Sequence, residues 1–216
     1  MQLLDLSHVV EGGMITYPGL PGPVISDHMT FEDSRANYAA GTEFQIGRIE
    51  MVANTGTYLD TPAHRWEGRD DLSTLPLERL AGLPGVAIRS KGPELTPDLI
   101  ADTDVSGAAV LFNTGWDRHW RTNDYGSEDH PFVGAALAEA LVDANPALVG
   151  IDSVNIDSTI GQDRPAHSLL LGAGILVVEH LTRLEKLPDN GFEFFAVPVK
   201  VRGMGTFPVR AFAKWS

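Results

Sequence analysis

Asp60 and His64 stand four positions apart, separated by Thr61-Pro62-Ala63. Thr61 can cap and Pro62 can open a short helical turn, which predicts His64 on that turn beside Asp60. A carboxylate and an imidazole across a rigid turn can converge on one ligand. Taken alone, the pair fits a turn-capping aspartate and an ordinary hydrogen-bonded histidine better. Asn54, Gly56, Thr57 and Tyr58 extend the polar cluster upstream. The cluster follows the strand-like run Phe44–Val52, so it is expected where a strand hands over to a loop.

Further candidates lie downstream. His167 follows Arg164-Pro165-Ala166 and precedes a short leucine-rich turn, and Glu179 closes the apolar run Ile175–Val178. A glutamate ending a buried strand more often points to solvent. His180 is adjacent to Glu179 and is expected on the opposite side of that strand, outside any site. Asp152 and Asp157 flank Ser153-Val154-Asn155-Ile156 just past a probable strand and read as turn formers or as hydrogen-bond support. Arg65 and Trp66 suit a carboxylate or an aromatic ring of a substrate, and surface packing explains them equally well. Trp116, with His119 and Trp120, is read as a wall of the pocket or as core.

These residues need a strand-rich scaffold. Strand-like runs occur at Leu3–Leu6, Phe44–Val52, Val86–Arg89, Ala109–Phe112, Leu148–Ile151, Ile175–Glu179, Phe192–Val201 and Val209–Ala213. Helices are predicted at Leu95–Ile100, behind Thr96-Pro97, and at Gly134–Ala144, from its helical apolar spacing. Twenty-two glycines and fourteen prolines are spread along the chain, implying many short elements joined by tight turns. Strands and helices are interleaved, so the expected class is mixed α/β (α+β) in one domain spanning 1–216.

Composition excludes more than it assigns. The 216 residues are 43% apolar, with no run long enough to span a membrane and no secretory signal at the start. The net charge of −13 opposes binding to nucleic acid or an anionic membrane. Cysteine is absent, which removes thiolate metal sites and disulfides and fits a cytoplasmic location. No Walker loop, Gly-x-Gly-x-x-Gly or Gly-x-Ser-x-Gly occurs, so nucleotide and serine-hydrolase chemistry lack a motif.

The stretch Asn54–His64 resembles the signature His-x-Gly-Thr-His-x-Asp-x-Pro-x-His of the cyclase family, which includes bacterial kynurenine formamidases and isatin hydrolases. Gly56, Thr57, Asp60, Pro62 and His64 match it. Asp5-Leu6-Ser7-His8 with Tyr17-Pro18-Gly19, Asn113-Thr114-Gly115-Trp116, Gly150-Ile151-Asp152-Ser153, and His167 with Leu169-Leu170, Ile175 and Glu179 resemble further family segments in order.

The resemblance implies a swivelling β/β/α fold and a metal-dependent hydrolase of a small cyclic or aryl amide or ester. By position, Asp60, His167 and Glu179 are implied metal ligands and His64 the acid/base residue. Asn54 and Tyr58 replace two histidines that bind a first metal in the family. An amide is a weak ligand, and a phenol binds only if its pKa of about 10 falls. One divalent metal, zinc or manganese, is therefore expected, with Asn54 as an occasional donor and Tyr58 as a second catalytic residue that positions substrate or donates a hydrogen bond to its carbonyl. The resemblance also implies a homo-oligomer, dimer or tetramer. Two alternatives stand: a metal-free acid/base enzyme (cyclase, dehydratase or isomerase), and a non-catalytic small-molecule-binding protein.

Overall fold

The run Ala109–Asn113 is buried along its whole length, as a strand covered on both faces must be. In the computed structural model, which describes residues 1–216, it lies at the middle of a nine-stranded sheet. The elements in chain order are β1 (Gln2–Asp5), β2 (Val24–Met29), α1 (Phe31–Asn37), β3 (Ile46–Glu50), β4 (Tyr58–Asp60) and α2 (Pro62–Arg65). There follow β5 (Ala81–Arg89), β6 (Glu94–Leu95), β7 (Ala109–Asn113), β8 (Phe132–Val133), α3 (Ala135–Ala144) and β9 (Leu148–Ile151). The last are α4 (Pro165–Gly172), β10 (Leu176–Glu179), β11 (Phe192–Phe195), β12 (Thr206–Pro208) and β13 (Phe212–Trp215).

The sheet order is β1-β13-β11-β5-β7-β9-β10-β4-β12. Strands β5, β7, β9 and β10 are parallel, and the strands flanking them on both sides run antiparallel. Alternate residues feed two cores. Ala109, Leu111, Leu148, Leu176 and Val178 join Leu59, Leu83 and Phe194 on one face. Val110, Phe112, Val149, Ile151 and Val177 pack on the other against Leu137 and Leu141 of α3 and Leu170 and Leu171 of α4. The mixed α+β class expected from the sequence is the one found.

Several local expectations change. The helix expected at Leu95–Ile100 is a single 3-10 turn, Pro97–Leu99. Pairing of Glu94 and Leu95 with β8 keeps the start extended, and the Thr96 hydroxyl bonds the Asp98 side chain rather than a backbone N–H. The strand expected over Phe192–Val201 ends at Phe195, where the register slips against β5 and Pro198 soon lacks a donor. The run Val209–Ala213 straddles the bend between β12 and β13. The Phe44–Val52 strand is real but pairs with β2 outside the main sheet. The motif after it is itself a strand, β4, inside that sheet. His167 lies on the eight-residue helix α4 rather than before a turn.

Strand β12 meets the α2 turn at Gly205, whose carbonyl accepts from Thr61 N–H at 2.8 Å. A Cβ there would stand 2.6 Å from His64 Cα and 2.7 Å from the Ala63 carbonyl carbon, so only glycine permits the approach. Gly205→Ala should lower stability by ~1–3 kcal/mol, the usual cost of forcing extra volume into packed structure. Urea unfolding measures it, and an unchanged midpoint would contradict the packing described.

Candidate active site

Side-chain alternation along β4 divides core from chemistry. Leu59 points into the apolar core, so Tyr58 and Asp60 point to the other face. The register sets Asp60 opposite Val177 of β10, Leu59 opposite Val178 and Tyr58 opposite Glu179. On the other side it sets Thr206 of β12 opposite Asp60. Three neighbouring strands thereby deliver Asp60, Tyr58, Glu179 and Thr206 to one face. Helix α2 carries His64 over them, and α4 carries His167.

The geometry is tight. His167 Nε2 lies 3.7 Å from Asp60 Oδ2 and 3.6 Å from Glu179 Oε1. Its other nitrogen, Nδ1, bonds Asp157 Oδ2 at 2.6 Å. The Asp157 carboxylate also accepts from the Ala166 and His167 N–H groups, serving as the cap that α4 lacks locally. A carboxylate only accepts, so Nδ1 of His167 carries the proton and Nε2 is left for a ligand. Glu179 accepts from Ile156 N–H at 2.5 Å and from the Tyr58 hydroxyl at 2.6 Å. Asp60, His64 and His167 each present a ligand atom within 4.8 Å of the others.

Asp60 is completely buried. Its Oδ1 accepts from the Thr206 hydroxyl, and its Oδ2 has no hydrogen-bond partner. An unpaired carboxylate oxygen in the interior costs several kcal/mol, against about 1 kcal/mol gained from one hydrogen bond. A cation beside Oδ2, held also by His167 Nε2 and Glu179, would offset that cost, so the residues present fit a divalent metal.

Charge crowding moves the pKa values of the group. Burial opposes protonation of His167, but Asp157, Asp60 and the charge of Glu179 outweigh it and push the imidazole up to about 10. Burial raises Glu179 to about 7, with the charge of His167 opposing and that of Asp60 adding to the rise. Burial first, and then the charges of Glu179 and Asp60, raise the Tyr58 phenol well above its ordinary value. Tyr58 is here a neutral donor, its hydroxyl given to Glu179.

A cavity of about 390 Å³ opens onto these groups, lined by Tyr58, His64, His167 and Glu179 together with Asn54 and Arg65. The Tyr17–Leu20 loop, Asn155 and Arg164 complete the wall. Arg65 is tethered through Nε to Ser168 Oγ at 3.0 Å. Trp66 and Trp116, expected against the substrate, do not line this cavity. Trp66 donates Nε1–H to the Ser168 carbonyl, between α2 and α4, and Trp116 donates to the Tyr125 carbonyl. Glu179 faces the site and not solvent, because the strand alternation that buries Val178 on one face turns Glu179 to the other.

His180, expected away from the site, is fully buried behind it. The chain turns at His180, with φ at 56°, so the strand rule that placed it opposite Glu179 does not apply. Its Nε2 lies 3.3 Å from the Tyr58 hydroxyl and its Nδ1 2.8 Å from the Tyr125 hydroxyl. Burial lowers its pKa to about 3, leaving a neutral ring. Because Tyr58 donates to Glu179, donation runs Tyr125 to His180 to Tyr58 to Glu179. Thr206, Asn155 and Arg164 carry no motif in the sequence. Thr206 is legible only from the pairing of two strands 146 positions apart at the site.

Fold and site together describe an α+β protein with a cation-sized acidic hollow beneath a histidine. The cyclase family profile matches residues 4–158, and the chain belongs to that family. It is 28% identical to a kynurenine formamidase of Salinibacter ruber, over 98% of this chain and 96% of that one. A second kynurenine formamidase, from Geobacillus thermodenitrificans, is 28% identical over 96% and 95%. Isatin hydrolase A from Ralstonia solanacearum shares the fold with a TM-score of 0.83 at 22% identity, covering 100% of this chain and 92% of that one. A structure described as a potential metal-dependent hydrolase with cyclase activity gives a TM-score of 0.79 at 28% identity, covering 98% and 96%.

The shifts have a measurable consequence. With no cation bound, His167 and Glu179 both have raised pKa values, so the folded chain binds more protons than the unfolded one. For Glu179 the stabilisation is full below 4.5 and is lost as pH rises through about 7. For His167 it is full below 6.5 and is lost as pH rises through about 10. Chelator-treated protein should therefore lose thermal stability from these groups as pH rises, and added zinc or manganese should restore it most at high pH. Melting curves across pH check this; equal gains at every pH would contradict it.

Proposed function

We propose that the chain is a metal-dependent hydrolase of a small cyclic or aryl amide or ester, such as a formamide, lactam or lactone. The observation that carries this reading is Asp60 Oδ2, buried and unpartnered, facing an imidazole nitrogen whose twin is committed to Asp157. Asp60, His167 and Glu179 would hold one divalent cation, and two carboxylates with one imidazole suit zinc or manganese. Such a cation supplies Lewis acidity, acidifying a water molecule and polarising a carbonyl.

The chain's own residues do the rest. His64 takes a proton from the attacking water as its oxygen bonds to the carbonyl carbon. It returns that proton to the leaving nitrogen or oxygen as the old bond breaks. Tyr58 holds Glu179 in place through its hydroxyl, and Asn54 stands in the wall near the carbonyl. Arg65, anchored by Ser168, offers positive charge at the rim. The cavity is large enough for a one- or two-ring molecule. The names of the relatives, kynurenine formamidase and isatin hydrolase, support an amide substrate.

Protein purified without chelator should carry one cation per chain and hydrolyse an aryl formamide such as formanilide or a fused lactam such as isatin. Chelation should abolish turnover, Glu179→Gln should lose the cation, and His64→Gln should lower kcat by ~10²–10⁴-fold with the cation retained. Undiminished turnover after complete chelation would refute the metal-dependent reading.

We further propose a homo-oligomer, dimer or tetramer, assembled through the arm β2–α1–β3. Every residue of β3 is exposed, and the arm shows Val24, Ile25, Phe31, Tyr38, Ile46 and Ile49 to solvent. A two-stranded ribbon is marginal alone and gains from a partner covering such residues. Light scattering should give the mass of at least two chains, and Ile25→Glu with Ile49→Glu should reduce it; a monomeric parent protein would end this proposal. No helix is long and apolar enough to cross a membrane, and we place the enzyme in the cytoplasm, where a chain without cysteine meets no constraint from reducing conditions.

A further inference from the structure

We infer that Thr206 is a positioning residue that fixes the tautomer of His64, placing the proton on Nδ1 and leaving Nε2 as the base. The inference rests on the reading of His64 as the acid/base group and supplies the atom that acts. Thr206 is nearly buried and its hydroxyl touches two groups: Asp60 Oδ1 and His64 Nδ1, the latter at 2.7 Å. A hydroxyl has one proton to give and a carboxylate can only accept. The Thr206 proton therefore goes to Asp60, and toward His64 the oxygen is an acceptor. His64 Nδ1 must supply the hydrogen of that bond.

Two consequences follow. Nδ1 of His64 is unavailable to a cation, although His64 lies within ligand range of Asp60 and His167. Glu179 Oε1 stands 3.6 Å from His167 Nε2 on the same hollow. The other edge of the His64 ring, carrying Nε2, is left to the cavity that His64 lines. Nε2 can take up and release a proton while the Nδ1–H bond to Thr206 is unchanged, so the ring keeps its orientation through the cycle.

The two histidines of the site, with ring centroids 5.8 Å apart, thus share one tautomer by different devices. Asp157 imposes it on His167 directly, whereas Thr206 imposes it on His64 as an intermediary for Asp60. Placement of Thr206 depends on the β12–β4 register and on the missing side chain at Gly205.

Thr206→Val removes the hydroxyl at nearly constant shape, and Thr206→Ser keeps it. Long-range ¹⁵N spectra of the neutral imidazoles, with His64 assigned by His64→Gln, should show Nδ1 protonated in the parent and in Thr206→Ser. Thr206→Val should shift the proton population toward Nε2. With formanilide or isatin as probe, Thr206→Val should lower kcat by ~10–100-fold with KM little changed, and Thr206→Ser should restore it. A bare Nδ1 in the parent protein would overturn the inference, as would a folded, cation-loaded Thr206→Val as active as Thr206→Ser. If neither probe is cleaved by the parent, it is the hydrolase reading that suffers, and the parent spectrum alone decides the tautomer.

Discussion

A buried carboxylate with one oxygen bonded and the other unpaired is the constraint from which the site follows. Asp60 is fully buried, Oδ1 takes its hydrogen bond from Thr206, and Oδ2 has no hydrogen-bond partner and lies 3.7 Å from His167 Nε2. Desolvating that charge costs more than a single hydrogen bond returns. The surrounding groups either present positive charge, as His167 does when protonated, or leave room for a cation. Glu179, a second buried carboxylate on the same imidazole, raises the demand for positive charge further.

The support around this centre is layered and nearly saturated. Glu179 is held by a backbone N–H and by a chain of three side chains ending at Tyr125. His167 is aimed by Asp157, which also caps the helix that carries it. Tyr58 occupies a position where the family signature has a histidine. Its neutral phenol there donates to Glu179.

The apolar core does the positioning. Leu59 and Val178 pack on one face of neighbouring strands, so Asp60, Tyr58 and Glu179 have no alternative but the other. A slip of one residue would exchange the two sets, exposing the apolar pair to the acidic hollow. Register in β4 and β10 is thus set by hydrophobic burial, and the chemistry inherits its precision from it.

Residue types alone carried much of this. The spacing of Asp60 and His64 across Thr61-Pro62 set the short turn between them and the apolar runs marked the central strands, whereas it was the resemblance to the cyclase signature that implied Asp60, His64, His167 and Glu179 together. What stayed hidden depended on contacts distant in sequence. Thr206, Asn155 and Arg164 have no local pattern, and Trp66 and Trp116 looked like substrate contacts until packing turned their indoles elsewhere. His180 escapes strand alternation because it lies one residue past the end of β10, where the backbone turns at a φ of 56°. Local sequence determines the period, the turn and the kinds of ligand atoms available. Only strand pairing and burial decide which face an atom occupies and which proton it must give, because hydrogen-bond direction is a property of neighbours.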